Sequence, residues 1–284
     1  MIGVGLPDDG WAMMSMDPQV GGLPPEIDSS VPHSARIWNY WLGGKDNYEI
    51  DRQVGARVAE IFPFQPKVAR ISRGFQGRAV RFLAGEAGVR QFLDIGSGLP
   101  TVDNTHVVAQ RVAPECRIVY IDNDPMVLAH ARALLSSSPE GECHYLDADL
   151  NDPGAIIDRA RKLLDIERPV ALMLMGITGH IASYERAREI VRTLLDALPP
   201  GSYLVHADGD DSDERAVEAL RQYAATGAVA HHLRGIEQLK GFFDGLEPVE
   251  PGLVPPHRWR PDAPVQAEND DVPSVGIAGV AYKP

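Results

Sequence analysis

Long apolar runs are missing from this chain of 284 residues. The longest stretch, Val170 to Ile177, is far shorter than the roughly 20 residues that a membrane helix needs, so no membrane association is expected. The start of the chain carries Asp8 and Asp9 and has no basic segment ahead of an apolar core, so no secretory leader is expected either. Cysteine is scarce: Cys116 and Cys143 are the only two. Each lies in or beside a predicted strand, where a thiol packs rather than reacts. A reducing cytoplasm is the simplest compartment. Positive charge is also short, since 27 basic against 40 acidic residues leave a net charge of −13. Nucleic-acid enzymes present a basic face to phosphates, and this balance argues against such a partner. The cluster Arg70, Arg73, Arg78 and Arg81 has helical spacing and reads as a solvated helix face. There is no Gly-x-Ser-x-Gly elbow to support hydrolase chemistry. His231 and His232 are adjacent and have no acidic or Cys partner at ligand spacing, so no metal site is expected.

What the sequence does contain is a series of strand-like runs that close on acids and glycines. Phe92-Leu93-Asp94-Ile95 runs into Gly96-Ser97-Gly98. Two glycines let the backbone turn tightly at the carboxyl end of a strand, where open α/β sheets bind ligands. A second run, Ile118 to Ile121, closes on Asp122, which is 24 residues past Gly98. That is close to the spacing at which a strand-end acid meets a ribose diol. Asp124 followed by Pro125 reads first as a helix cap. A third run, Cys143 to Leu146, leads to Asp149 and Leu150. A dinucleotide fingerprint places a third glycine where this chain has Thr101, which weakens a pyrophosphate reading.

In this layout the chain resembles the class I S-adenosylmethionine (SAM)-dependent methyltransferases. The resemblance implies that Asp94, Gly96, Ser97 and Gly98 hold the amino-acid end of SAM. It implies that Asp122, with Asn123, binds the ribose, and that Asp149, with Leu150, meets the adenine. Gly176, after the fourth strand, joins the same set. The block Pro32 to Tyr48, containing Trp38-Asn39-Tyr40-Trp41-Leu42-Gly43-Gly44-Lys45-Asp46-Asn47, is similar to the opening of an actinobacterial family of such enzymes formerly grouped as a domain of unknown function. Further similar pieces extend the likeness over roughly residues 32 to 284. In this block Tyr40 is the aromatic assigned to the cofactor side, because a sulfonium attracts an aromatic face. Gly43, Asp46 and Asn47 are read as a loop over the amino-acid end of SAM, with a helix C-cap followed by an N-cap as the structural alternative. One departure stands out: the family pattern has a His pair after the fourth strand, and this chain has Gly179-His180. His180, five residues past Met175, is the first candidate for a catalytic base, with His33 and Tyr40 next.

The expected fold is α/β and Rossmann-like, a seven-stranded, mostly parallel sheet with helices on both faces. Residues 1–30 read as a disordered tail, with Met14 or Met16 as alternative starts. Residues 31–89 read as a helical lid and 90–284 as the core. The fourth strand is Val170 to Met175, followed by a helix over 183–198 and a fifth strand over 202–207, and a polar helical stretch over 212–245 precedes two final antiparallel strands. The expected activity is methyl transfer from SAM to oxygen or nitrogen of a small-molecule acceptor. An NAD(P)-dependent oxidoreductase shares the strand-turn-acid layout and remains an alternative, as does a non-catalytic SAM-binding regulator.

Overall fold

A computed structural model describes residues 28–101, 103–134, 137–263, 271–273 and 275–284. The expected tail lies outside these residues except for Asp28 to Ser30, which are exposed. Met14 and Met16 lie outside them too. Among the described residues seven strands form one sheet: β1 (Gln91–Ile95), β2 (Arg117–Asp122), β3 (Glu142–Asp147), β4 (Ala171–Met175), β5 (Tyr203–Asp208), β6 (Glu247–Pro248) and β7 (Ile277–Tyr282). Their order is β3-β2-β1-β4-β5-β7-β6. The first five run parallel, and β7 runs antiparallel to β5 and β6. The sheet is therefore mostly parallel, as expected. β6 is only two residues long, on an edge where Pro248 cannot donate to a ladder.

Among the described residues nine α-helices accompany the sheet: α1 (Ser34–Trp41), α2 (Glu49–Ile61), α3 (Gln65–Gly85), α4 (Thr105–Val112), α5 (Pro125–Leu134), α6 (Pro153–Ala160), α7 (Tyr184–Asp196), α8 (Glu214–Ala224) and α9 (Ile236–Lys240). Strand side chains alternate between faces, so neighbours such as Phe92 and Leu93 enter different cores. Leu93, Val119, Ile121, Leu172 and Leu204 pack beneath α6 and α7 through Ile156, Ile190, Val191 and Leu194. Phe92, Ile118, Met173 and Val205 pack beneath α3 and α4 through Phe75, Val80, Leu83 and Val108. With both faces covered, the central strands read as continuous apolar runs.

The expected lid over 31–89 divides into two parts. α3 belongs to the sheet layer: Phe75, Val80 and Leu83 are fully buried against it, and each such side chain contributes about 1.5–3 kcal/mol. Only α1 and α2 stand clear of the sheet. Their Ile37, Trp41, Val54, Val58 and Phe62 form a separate cluster with Ala216, Ala219 and Tyr223 of α8. A second correction concerns the stretch 212–245. α8 ends at Ala224, where Ala225 caps it ahead of Gly227 with φ +89°, and the chain is irregular up to α9. The arginine cluster also divides. Arg78 donates to the carbonyls of Trp259 and Pro256, Arg81 pairs with Asp262, and Arg73 turns inward to Asn104, leaving Arg70 exposed.

Candidate active site

The sheet order reverses between β1 and β4, and the crevice of such a sheet lies outside the carboxyl ends of its strands at that point. After Ile95 the backbone turns through Gly96 and Gly98, with φ of +72° and +66°, a region that residues with a Cβ rarely adopt. A Cβ at Gly96 would stand 2.5 Å from the Ile177 side chain, so this glycine also lets the loop after β4 close against the turn. Asp122 ties the turn to β2: its Oδ2 accepts from the Gly98 N–H at 2.9 Å and its Oδ1 from the Asp124 N–H at 3.0 Å. Burial pushes the Asp122 carboxyl above the usual aspartate value, and these two N–H groups oppose the rise. Each oxygen retains a further lone pair. Asp94 lies beneath the turn, where its Oδ2 accepts from Thr105 Oγ1 at 2.7 Å and Gln76 Nε2 at 3.4 Å. Burial pushes its pKa to about 6, against that hydroxyl and the charge of Arg73.

A cavity of about 440 Å³ opens over the turn, within the range of small-molecule sites. Asp94, Gly96, Ser97, Gly98, Asp122, Asn123, Asp149, Leu150, Gly176 and His180 all line it. Ser97 Oγ lies 3.1 Å from the Tyr145 hydroxyl. Asp149 Oδ1 accepts from the N–H and side-chain amide of Asn151 at 2.8 and 3.0 Å, and Gly176 has φ +72°. His33 also lines the cavity. Its Nδ1 is 2.8 Å from Asp124 Oδ2, while Asp124 Oδ1 accepts the Met126 N–H at 2.8 Å. Asp124 is thus the expected helix cap and also the anchor of the α1 entrance. Burial raises the Asp124 carboxyl, but His33 and the Met126 N–H outweigh it and hold the group below its ordinary value.

Tyr40, Gly43, Asp46 and Asn47 lie off the cavity wall, and here the expectation is corrected. The Tyr40 ring lies on α2, where a Cβ at Gly55 would stand 2.6 Å from it. Trp38 and Trp41 reach the cavity instead, packed edge to face with ring centroids 5.9 Å apart. Gly43, with φ +81°, closes α1 as a C-cap, its N–H donating to the Tyr40 carbonyl. Asn39 Oδ1 accepts from the Asp46 N–H at 3.1 Å and the Asn47 side-chain amide at 2.9 Å. The N-cap of α2 is neither Asp46 nor Asn47 but Tyr48, whose N–H donates to buried Asp51 at 2.9 Å. Asp51 also accepts from Arg36 and from the His33 N–H. The block is a scaffold for the cavity wall.

At the carboxyl ends of β4 and β5 the structure assembles a group that spacing did not reveal. His231 Nε2 lies 2.9 Å from Asp208 Oδ1, and Thr178 Oγ1 donates to Asp208 Oδ2 at 2.8 Å. Burial raises the Asp208 carboxyl, but His231, His206 and Thr178 outweigh it and hold the group far below its usual value. His180 Nδ1 faces the Ala230 carbonyl at 2.9 Å, and its ring meets His231 edge to face at 5.1 Å. Burial and the neighbouring His231 push His180 down to about 4, so it is neutral near pH 7. Asp208 ends a strand as Asp122 does, which is a legible signal. His231 sits in irregular chain with no pattern around it. Among the described residues no cluster of His, Cys, Asp and Glu is arranged to hold a metal, and no helix is long and apolar enough to cross a membrane.

A family model described as S-adenosyl methyltransferase matches residues 21–284. The chain belongs to this S-adenosyl methyltransferase family. It is similar to a duf574 family protein from Streptomyces avermitilis, with 44% identity, 91% of this chain and 100% of that chain covered, and a TM-score of 0.85. It is also similar to a protein from Thermobifida fusca described as a methyltransferase by inference, with 41% identity, 92% and 98% covered, and a TM-score of 0.84. Both organisms are actinobacteria. No curated protein matches significantly. As a family member the chain is a SAM-dependent methyltransferase with SAM as its cofactor, and its fold is the Rossmann-like class I fold of these enzymes. The dinucleotide oxidoreductase alternative is set aside.

Proposed function

We propose that this methyltransferase acts in the cytoplasm on oxygen or nitrogen of a small-molecule acceptor, and that SAM and acceptor share the cavity over the glycine turn. The observation that carries this reading is the continuity of that cavity. It runs from Gly96, Asp122 and Asp149 to Trp38, Phe62 and Leu220, which leaves room beyond the cofactor residues.

The residues present fit the cofactor. At Gly98 a Cβ would point into open space, so the missing side chain leaves the backbone of the turn uncovered there. The unused lone pairs of Asp122 suit a ribose diol, and Asp94 suits an ammonium group. Asp149, with Leu150, takes the adenine end, and Ser97, Asn123 and Gly176 complete the wall. When bound, SAM supplies an electrophilic methyl group on a sulfonium sulfur. The chain itself aligns the partners and excludes water, which can account for much of the acceleration of an in-line displacement. α1 and α2 serve as the cover, with the loop held by Asn39 as its frame.

Incubating the protein with methyl-labelled SAM and a cell extract tests this reading. Label should appear in the small-molecule fraction. Label confined to protein or nucleic acid would contradict it.

A further inference from the structure

Asp208 and His231 line the cavity wall as a hydrogen-bonded pair that the cofactor contacts do not use. Asp208 is buried, with Oδ1 also accepting the Gly209 N–H at 2.9 Å. A carboxylate so placed only accepts, so His231 Nε2 carries the proton and Nδ1 presents a lone pair. Nδ1 has no hydrogen-bond partner among the described residues. The ring is held from several sides. A Cβ at Gly179 would stand 2.3 Å from it, so only glycine leaves it room. The His232 N–H donates to the Gly179 carbonyl at 2.7 Å, and Arg234 donates to the Thr178 carbonyl at 3.1 Å. His180 also lines the cavity, but no carboxylate stands behind it to hold an added proton.

The same segment that carries His231 also walls the far end of the cavity. Val229 and Leu233 line it together with Trp38, Phe62, Leu220 and Tyr223, in the seam between α1, α2 and α8. None of these six bears a charge, so the seam suits an apolar, flat body. We infer that His231, oriented by Asp208, is the catalytic base of this methyltransferase, and that its acceptor is an aromatic molecule whose acidic hydroxyl meets Nδ1. The inference rests on the reading of the cavity as a methyl-transfer site. The hydroxyl oxygen forms the bond to the methyl carbon as the carbon–sulfur bond breaks, with that electron pair passing to sulfur. The hydroxyl proton moves to Nδ1, and Asp208, a positioning residue, stabilises the resulting imidazolium.

The test uses the full chain loaded with S-adenosylhomocysteine, 2-naphthol as the hydroxyl probe and 2-naphthylmethylamine as an amine of similar shape. The absorbance of bound naphthol reports its ionised fraction without turnover. We expect naphthol to bind and its ionised fraction to fall about tenfold or more in His231→Gln and in Asp208→Asn. With SAM, kcat should fall by about 100-fold in both, with KM little changed. S-adenosylhomocysteine affinity should stay within about threefold, which also reports intact folding. Gly179→Ala displaces the ring without removing it and should give the same direction of loss; it carries the test if Asp208→Asn fails to fold. An unchanged ionised fraction in folded His231→Gln, or a loss that follows His180→Gln instead, overturns His231 as the base. Preference for the amine, or no binding of naphthol, overturns the acceptor class. A wild-type protein that fails to take up S-adenosylhomocysteine contradicts the methyl-transfer reading itself.

Discussion

At its strand end the cavity is walled by the segments that follow the five parallel strands, and Asp122 accepts from two backbone N–H groups there. At its cap end the wall comes from α1, the end of α2, α8 and residues 229–233, which meet only through tertiary packing. The strand end is polar and acidic, and a turn with two positive-φ glycines sets its shape. The cap end is apolar, and side-chain volume sets its shape. On the proposed reading the strand end holds the cofactor and the cap end faces the acceptor.

The sharpest way to break this contrast compares two glycines of like conformation. Gly96→Ala places a Cβ 2.5 Å from Ile177 at φ +72°, and we expect a loss of about 3 kcal/mol or more in S-adenosylhomocysteine binding, roughly two decades in Kd. Gly43→Ala, at φ +81° with open space around its Cβ, should cost about 1 kcal/mol of stability and little affinity. Equal losses of affinity would erase the distinction between the two ends. Next in size, Asp122→Ala should weaken S-adenosylhomocysteine by about 1–3 kcal/mol through lost charge-assisted hydrogen bonds. Calorimetry on a folded variant with unchanged affinity would remove the ribose assignment.

Asp94 sharpens the comparison through pH. Its folded pKa is raised from 3.8 to about 6 by burial. Its contribution to stability is therefore fully present below about pH 4 and is lost as pH rises through about 6. The proposed role of Asp94 toward an ammonium group needs the ionised form, so cofactor affinity should move the opposite way and fall as pH drops through about 6. Asp94→Asn should flatten both trends, as read by melting and titration at matched pH. The smallest effect is expected at Trp38→Ala, which should leave S-adenosylhomocysteine affinity within about 0.5 kcal/mol while changing which acceptors bind. A tenfold loss of affinity there would show that the cap grips the cofactor.

How legible each end was in the sequence follows from the same contrast. The turn and Asp122 could be placed at one cavity because apolar runs, glycines and strand-end acids lie within a few residues of one another, and Asp149 joins them through the family resemblance. The cap could not be read in this way. Periodicity shows that α3 has a buried face but not that the sheet covers it, so the sequence alone does not separate α3 from α1 and α2. Of three aromatics within four residues the sequence reading assigns Tyr40 to the cofactor side, whereas Trp38 and Trp41 line the cavity and Tyr40 packs on Gly55. The pairing of His231 with Asp208 spans irregular chain between α8 and α9, where no periodic pattern marks a register. The departure Gly179-His180 was visible, but its consequence, room for the His231 ring, was not.

Titration of the purified protein with S-adenosylhomocysteine and, side by side, with NADH tests the central claim most directly. The account predicts micromolar binding of the first at the glycine turn and none of the second, with the difference abolished in Gly96→Ala. Binding of NADH with silence from S-adenosylhomocysteine would contradict it.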